Sequence, residues 1–421
     1  MEKEDTAMSN QTTEPTVQSR PDWDDLESWA RAKVQHFIQD ILEEEVADFL
    51  GRGKSERRDL VDGKAGYRNG HGRERKLTLS SGTVKLRRPR VRDSEERFES
   101  RVLALFARRS KELSELIPEL YLHGLAEGDF ELALGGLLGD EAPISASTVS
   151  RLKEKWTSEL TEWNQRPVGH LEVVYLWVDG VYVKAGLEKD KAALLVVIAA
   201  LSDGTKMVLS VTPGYRESTE SWSDVLRDLK ARGINMPRVV IGDGHLGIWG
   251  AMRNVCPDSK EQRCWNHKIM NVLSKVPKRE HEKARALLCA IPYADTRAEC
   301  ERLKAEFVSW CAERRYQAAA DTLDRDWERM IAFYEFPQEH WHHLRTTNIV
   351  ESPFAALRLR TDAAKRYKRV DRATAVIWKM LMIAERRFRR LTAPELLRDV
   401  YEGVTYVDGI PATTMTEEVA A

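Results

Sequence analysis

The sequence predicts an α/β protein whose core is a mixed sheet with helices packed against it. Three apolar stretches follow closely on one another and are expected to form strands at Val173–Lys184, Ala192–Leu201 and Met207–Thr212. A helix is expected from about Ser218 to Arg232, followed by a fourth strand at Arg238–Gly244. Three neighbouring strands, a helix and one further strand are typical of a mixed sheet covered by helices.

The chain is long enough for two or three domains, since 42% of its 421 residues are hydrophobic. Its net charge of −1 hides a strong segregation. Residues 1–50 carry 13 acidic and four basic residues, whereas residues 51–92 carry 14 basic and four acidic ones. The basic block favours a polyanion such as nucleic acid as a partner, although a solvated charged surface would have the same composition.

Before the sheet, the chain shows three kinds of segment. The first 20 residues (1–20) are polar and aperiodic, so we expect a disordered tail. Residues 21–50 have apolar residues at three- and four-residue steps and are predicted to form an amphipathic helix. Its apolar face needs a partner, either this chain or a second copy. Residues 51–105 form a basic region, in which residues 76–92 predict a hairpin of two short strands around a Ser-Gly turn.

Residues 106–165 are predicted to form a DNA-binding domain that resembles a helix-turn-helix. One apolar helix ends near Gly124, a second begins at about Asp129, and Ser145 is expected to cap a third. In a helix-turn-helix the first residues of the recognition helix meet the base edges. The residues in that position are Ser147, Thr148 and Arg151. A small helical bundle would give the same weak pattern.

Three acidic residues are candidates for catalysis. Asp179 lies on the first predicted strand, on the same face as several large apolar side chains, and burial of a carboxylate there is costly unless something compensates it. Asp243 ends the fourth strand, where the ligand sites of such sheets gather. Glu351 follows a helix start marked by Thr347 and Asn348. The positions are 64 and 108 residues apart.

Carboxylates that converge from two strands and a helix would hold divalent metal ions. Phosphodiester chemistry uses such ions in pairs about 3.5–4 Å apart, and Mg²⁺ prefers oxygen ligands. Taken singly, each acid is more often a structural residue, and Asp-Gly at Asp179 and Asp243 is also a common turn signal. However, both aspartates follow apolar strands, and Arg358 lies two helical turns after Glu351, where it could contact phosphate.

With these residues in place, the sequence resembles the Mutator-type transposases of bacterial insertion sequences, which belong to the DDE superfamily. The similarity extends from about Gly51 to Leu391. The matching stretches, in family order, are "YRNGHGRERKLTLSSGTVKLRRPR", "ISASTVSR", "WVDGVYVK", "VIGDGHLGIW", "QRCWNHKIMNVLSKVPK" and "HLRTTNIVESPFAALRLRT". One departure is Ile349, which stands where relatives usually have proline.

The resemblance implies an RNase H-like catalytic core with a helical insertion. Its first part would be residues 166–267, the insertion residues 268–345, the last core helix residues 346–392, and a C-terminal tail residues 393–421. It also implies Mg²⁺ or Mn²⁺ held by Asp179, Asp243 and Glu351. The enzyme would bind the terminal inverted repeats of its element, free a 3′-OH by hydrolysis, and use that hydroxyl to attack target DNA.

Further residues are predicted to contact DNA or to support the active site. Basic residues of the hairpin and of the helix after Glu351 are expected to contact DNA: Arg68, Arg87, Arg88, Arg90, Arg358 and Arg360. The family also carries a Cys-x-x-His motif, represented here by Cys264 and His267. Because zinc would need two more ligands, we assign this pair to active-site support.

The sequence also indicates where the protein is located and how it assembles, and it leaves two alternative functions open. The absence of an apolar run of membrane-spanning length predicts no membrane association, and five cysteines without a C-x-x-C pair favour a reducing bacterial cytoplasm, with the protein at the nucleoid. A homodimer or larger homo-oligomer is expected because two element ends must meet. A DNA-binding regulator without catalysis, or a nuclease of the same fold that cleaves without joining, would also account for parts of the sequence.

Overall fold

The computed structural model describes residues 22–57, 64–104, 108–126, 128–138, 146–186, 191–214, 216–244, 246–364 and 366–412. The predicted tail of residues 1–20, the predicted cap Ser145 and residues 413–421 lie outside the described residues. The chain divides into two compact units. The first comprises Met1–Glu119 and Glu127–Ala146, and the second comprises Leu120–Ala126 and Ser147–Ala421.

The first unit is built on a helix and a hairpin. Its elements are α1 (Leu26–Leu50), β1 (Tyr67–Leu79), β2 (Gly82–Arg92), most of α2 (Lys111–Leu122) and α3 (Phe130–Leu138). β1 and β2 pair antiparallel up to Leu79 and Gly82, so the hairpin is longer than the sequence predicts and turns at Ser80 and Ser81. The core of this unit contains Leu42, Val84, Leu86 and Leu103. The C-terminal half of α1 therefore packs within the chain.

Two glutamines of α1 satisfy the outer backbone edge of β2. The side-chain oxygen of Gln35 accepts a hydrogen bond from the amide of Lys85 at 3.0 Å. Gln39 accepts from the amide of Arg87 at 3.0 Å and donates to the Arg87 carbonyl at 2.9 Å. Backbone groups at a sheet edge otherwise invite pairing with another chain, so these contacts protect the hairpin.

The second unit contains the predicted mixed sheet. Its strands are β3 (Val173–Val183), β4 (Ala192–Leu201), β5 (Lys206–Gly214), β6 (Val239–Gly242) and β7 (Lys260–Arg263), in the spatial order β5-β4-β3-β6-β7. β5, β4 and β3 pair antiparallel, and β3, β6 and β7 pair parallel. The sheet confirms the α/β prediction. β7 is an additional edge strand that its charged sequence "KEQR" does not predict.

Helices make up most of the rest of the second unit. They are α4 (Ala146–Asn164), α5 (Thr219–Ala231), α6 (Leu246–Val255), α7 (Trp265–Leu273), α8 (His281–Ala290), α9 (Arg297–Arg314), α10 (Gln317–Asp324), α11 (Trp327–Ile331), α12 (Trp341–Leu344), α13 (Asn348–Ala364), α14 (Val370–Glu385) and α15 (Glu395–Glu402). A short hairpin of β8 (Tyr406–Val407) and β9 (Ile410–Pro411) follows. No helix in the described part of the chain is both long and apolar enough to cross a membrane.

The helix that carries Glu351 is shorter than predicted. The sequence predicts one helix as far as about Leu391, but α13 ends at Ala364 and α14 begins at Val370. Between them the amide of Tyr367 donates to the Lys184 carbonyl at 2.8 Å, and the amide of Gly186 donates to the Tyr367 carbonyl at 3.0 Å. These backbone bonds to the end of β3 replace helical ones and break the helix.

The segment predicted to resemble a helix-turn-helix contains three helices, α2, α3 and α4. The second helix belongs to the first compact unit, and α4 from Ser147 onward belongs to the second. The three helices are therefore present, but they do not belong to one compact unit. Their arrangement as a DNA-reading motif stays a prediction.

Candidate active site

Asp179 is positioned by the central strand of the sheet. β3 pairs with β4 on one side, where Asp179 lies opposite Val196, and with β6 on the other. Oδ1 of Asp179 accepts a hydrogen bond from the amide of Gly180 at 2.8 Å. Burial and the charge of Asp243 raise the pKa of Asp179 to about 7 against the effect of that hydrogen bond, and two glutamates add to the increase. Asp179 therefore faces other carboxylates.

Asp243 follows β6 directly, at the C-terminal end of that strand, and lies next to the part of β3 that carries Asp179. β3 and β6 run parallel, and their last paired residues are Trp177 and Ile241. The same register continued by two residues places Asp179 beside Asp243. Gly244 then turns the chain with a φ of +103°, and a Cβ there would lie 2.1 Å from a neighbouring guanidinium nitrogen. The turn after Asp243 therefore requires glycine.

Glu217 is a third carboxylate next to Asp179 and Asp243, and the sequence does not predict that it belongs to this site. It lies between β5 and α5, directly before Ser218, the N-cap of α5, and is only 8% exposed. Carboxylate oxygens of Asp179, Glu217 and Asp243 all lie within 4.8 Å of one another. The surrounding sequence "RESTES" is typical of a helix start, so no local signal distinguishes this acid from an ordinary capping residue.

Glu351 lies in the first turn of α13, within a second cluster of donor atoms. The Thr347 hydroxyl hydrogen-bonds to Oε1 of Glu351, and Nδ1 of His267 lies 3.7 Å from the same oxygen. Sγ of Cys264 accepts a hydrogen bond from the amide of Thr347 at 3.4 Å. Donor atoms of Cys264, His267 and Glu351 lie within 4.8 Å of one another, and the charge of Glu351 also acts on Asp179.

His267 is the basic residue next to these acids. The neighbouring Cys264 raises the pKa of the imidazole to about 9 despite burial, and the charges of Glu351 and Asp243 act in the same direction. At neutral pH the ring is therefore an imidazolium. It places a positive charge beside Glu351 without adding a carboxylate.

The chain that carries these two clusters is similar to known proteins. Residues 3–388 match the profile of a family described as transposase, Mutator family. The chain belongs to the Mutator family of transposases. It is 41% identical over 301 residues to the transposase for insertion sequence element IS6120 of Mycolicibacterium smegmatis, with 70% of this chain and 92% of that protein covered. It is 39% identical over 286 residues to the transposase for element IST2 of Acidithiobacillus ferrooxidans, covering 66% and 95%.

Four arginines of the hairpin are predicted to bind DNA, and their side chains differ in exposure. The side chain of Arg87 is 66% exposed, and Arg90 is exposed as well. Arg68 forms an ion pair with Glu43 at 2.9 Å and is 23% exposed. Arg88 is half-buried and donates to the carbonyl of Phe98 at 3.2 Å. Arg87 and Arg90 are therefore the two whose side chains reach solvent most freely.

Two of the other predicted DNA contacts lie in the interior. Thr148 is 7% exposed and Arg360 is 2% exposed. The guanidinium of Arg360 lies 3.9 Å from the ring centroid of Tyr121 and donates to the Leu125 carbonyl at 3.2 Å. Their burial contradicts a contact with DNA, because α4 and α13 turn these side chains inward. The remaining candidates are exposed, namely Ser147, Arg151 and Arg358.

Proposed function

We propose that this chain is the DDE transposase of an insertion sequence, which binds the element's terminal inverted repeats and cuts and joins DNA strands with Mg²⁺ or Mn²⁺. The observation that carries the proposal is the placement of Asp179 beside Asp243 at one sheet edge, with the charge of Glu351 acting on the same site. The strand order, three antiparallel strands followed by two parallel ones, supports the expected RNase H-like core.

The acidic cluster suits a hard divalent cation. Oxygen ligands about 2.1 Å from Mg²⁺ are about 3 Å apart when adjacent and about 4.2 Å apart when opposite. The carboxylate oxygens of Asp179, Asp243 and Glu217, which lie within 4.8 Å of one another, would therefore move closer together to share one ion. Burial and the charge of Asp243 disfavour ionised Asp179, and a cation would remove this penalty. Asp179, Asp243 and Glu351 would hold the metal. When bound, the ion supplies positive charge that activates the attacking oxygen and stabilises the leaving oxygen.

The chain's own residues orient Glu351 for this task. The hydroxyl of Thr347 and the imidazolium of His267 approach the same carboxylate oxygen from two elements, the start of α13 and α7. Cys264 accepts the amide hydrogen of Thr347, and its sulfur lies within 4.8 Å of a ring nitrogen of His267, so it lies next to both orienting residues. This geometry supports a positioning role for Cys264 and His267.

DNA would be bound by exposed cations on both compact units. Arg87 and Arg90 in the first unit, and Arg151 and Arg358 in the second, have exposed positions suited to phosphate. Arg358 lies on the same helix as Glu351, seven residues further on, and so supplies a phosphate contact close to the site. Since the reaction joins two element ends, we expect at least two copies of the chain on DNA.

A strand-joining reaction in vitro tests the proposal. The full chain is incubated with labelled DNA that ends in the element's own terminal repeat, with Mg²⁺ or with EDTA. We expect joined product only with the metal, and none from Glu351→Gln. Asp362→Asn is a matched control, because Asp362 is an exposed acid on the same helix, and this variant should join DNA like the wild type.

The products separate the proposal from its two alternatives. Specific binding without nicking under any metal condition would indicate a DNA-binding regulator. Nicked product that never joins would indicate a nuclease. Joining by Glu351→Gln at the wild-type rate would exclude Glu351 from the catalytic centre.

A further inference from the structure

Glu217 occupies a position in the acidic cluster that the three expected acids do not account for. Its carboxylate lies within 4.8 Å of those of Asp179 and Asp243, and the residue is 8% exposed. We propose that Glu217 is a fourth carboxylate of the catalytic centre and, with Asp179 and Asp243, binds a divalent cation in the free protein. This inference rests on the proposed function, since it concerns the same site.

The residue after Asp179 is shaped to admit this carboxylate. A Cβ atom on Gly180 would lie 2.2 Å from Oε1 of Glu217 and 2.6 Å from Cδ. Any larger residue would therefore occupy the space that the Glu217 carboxylate now fills. Glycine at this position lets a side chain from outside the strand reach the strand end that carries Asp179.

The backbone of Glu217 also packs closely against a neighbouring helix. A Cβ on Gly247 would lie 2.0 Å from the Glu217 carbonyl oxygen, and one on Gly250 would lie 2.7 Å from Oγ1 of Thr219. Both glycines are on α6, three residues apart, and so face the same way. The glycine face of α6 therefore packs directly against the segment that carries Glu217 and fixes its distance from β3.

Tyr182 lies beside Glu217, since burial and the charge of this carboxylate raise the pKa of the tyrosine hydroxyl. Tyr182 is on β3, two residues after Gly180, so the same strand supplies both the space for the carboxylate and a polar neighbour. A carboxylate enclosed in this way beside two others is unfavourable in the free protein. A divalent cation coordinated by all three removes the repulsion, because each carboxylate then has a positively charged partner.

Mn²⁺ binding to the full chain without DNA tests this inference. The free ion is measured by electron paramagnetic resonance for the wild type, Glu217→Gln and Asp179→Asn. We expect Glu217→Gln to weaken Mn²⁺ binding at least about tenfold. Glu220→Gln is the matched control, since Glu220 is an exposed acid three residues further on, and it should bind Mn²⁺ like the wild type.

A second variant keeps the test independent of any folding defect in Glu217→Gln. Gly180→Ala retains every acid but places a methyl group where the Glu217 carboxylate lies, and we expect a similar loss of Mn²⁺ affinity. The double variant should then lose little more than either single variant, because both changes remove the same ligand. Additive losses would contradict this coupling.

The outcomes distinguish this inference from the proposed function. If Asp179→Asn weakens Mn²⁺ binding and Glu217→Gln changes it less than twofold, the fourth carboxylate is refuted and the transposase proposal stands. If the wild type joins DNA but binds no Mn²⁺ without DNA, the preformed cation site is refuted alone. If the wild type neither binds Mn²⁺ nor joins DNA, both fail.

Discussion

Replacement of Asp179 by asparagine is predicted to make the metal-free protein more stable while it abolishes catalysis. Asparagine has nearly the same shape and retains an oxygen that can accept the Gly180 amide hydrogen. It removes the charge that burial and Asp243 disfavour. The variant therefore tests whether the site is electrostatically unfavourable without a cation, as a metal centre built from carboxylates should be.

The magnitude follows from the pKa of Asp179. Burial and neighbouring acids raise it from 3.8 to about 7 in the folded chain. Each pKa unit corresponds to about 1.36 kcal/mol, so ionised Asp179 costs the folded state about 4 kcal/mol. Because the folded pKa is the higher one, the folded state binds more protons than the unfolded state between these values. The penalty is therefore absent below about pH 3.8 and complete above about pH 7.

Denaturant unfolding of the two proteins in EDTA at pH 5 and pH 8 measures this penalty. The free energy of unfolding of Asp179→Asn should exceed that of the wild type at pH 8, and the difference should shrink by about 3 kcal/mol at pH 5. Mg²⁺ should stabilise the wild type and leave the variant unchanged. A variant that is equally or less stable than the wild type at pH 8 would refute the electrostatic reasoning.

Three further predictions concern side chains around the site and on the hairpin. His267→Ala should slow strand joining about 10- to 100-fold in single-turnover assays, since Glu351 loses the positively charged neighbour that orients it. Strand joining by the wild type should also decline above about pH 9, where His267 loses its proton. Arg358→Ala should lower the salt dependence of DNA affinity by about one unit of slope, whereas Arg360→Ala should leave that slope unchanged and reduce the unfolding free energy by about 2 kcal/mol. Gln39→Ala should cost about 1–2 kcal/mol in denaturant unfolding and promote self-association seen by light scattering, because the β2 edge is exposed.

The sheet could be predicted because its strands carry their own signal. β4 is continuously apolar, as a central strand covered on both faces must be, and β3 is buried from Val173 to Val178, directly before Asp179. Asp243 could be placed because it follows an apolar strand at the end where such sites gather. β7 escaped prediction because its polar side chains are satisfied by tertiary contacts. Buried Gln262, for example, accepts from the amide of Phe333 at 2.8 Å and donates to the Met330 carbonyl at 3.1 Å.

The missed parts of the site depend on contacts between residues far apart in sequence. Glu217 is a metal-ligand candidate only because Gly180 leaves space for it, and that space is invisible in a linear pattern. Arg360 has the composition of a DNA contact, but Tyr121 provides a ring against which its guanidinium is buried. The break after α13 likewise arises from backbone pairing of Tyr367 with the end of β3. In each case the decisive partner is distant along the chain.

The central claim is that Asp179, Asp243 and Glu351 form one metal-dependent centre. Its most direct test is the anomalous scattering of Mn²⁺ in crystals of the full chain bound to DNA that ends in the element's terminal repeat. We predict a manganese peak about 2.1–2.3 Å from carboxylate oxygens of Asp179 and Asp243, with Glu351 bound to the same ion or to a second one nearby. Manganese bound elsewhere, with these three carboxylates unliganded beside the DNA end, would contradict the claim.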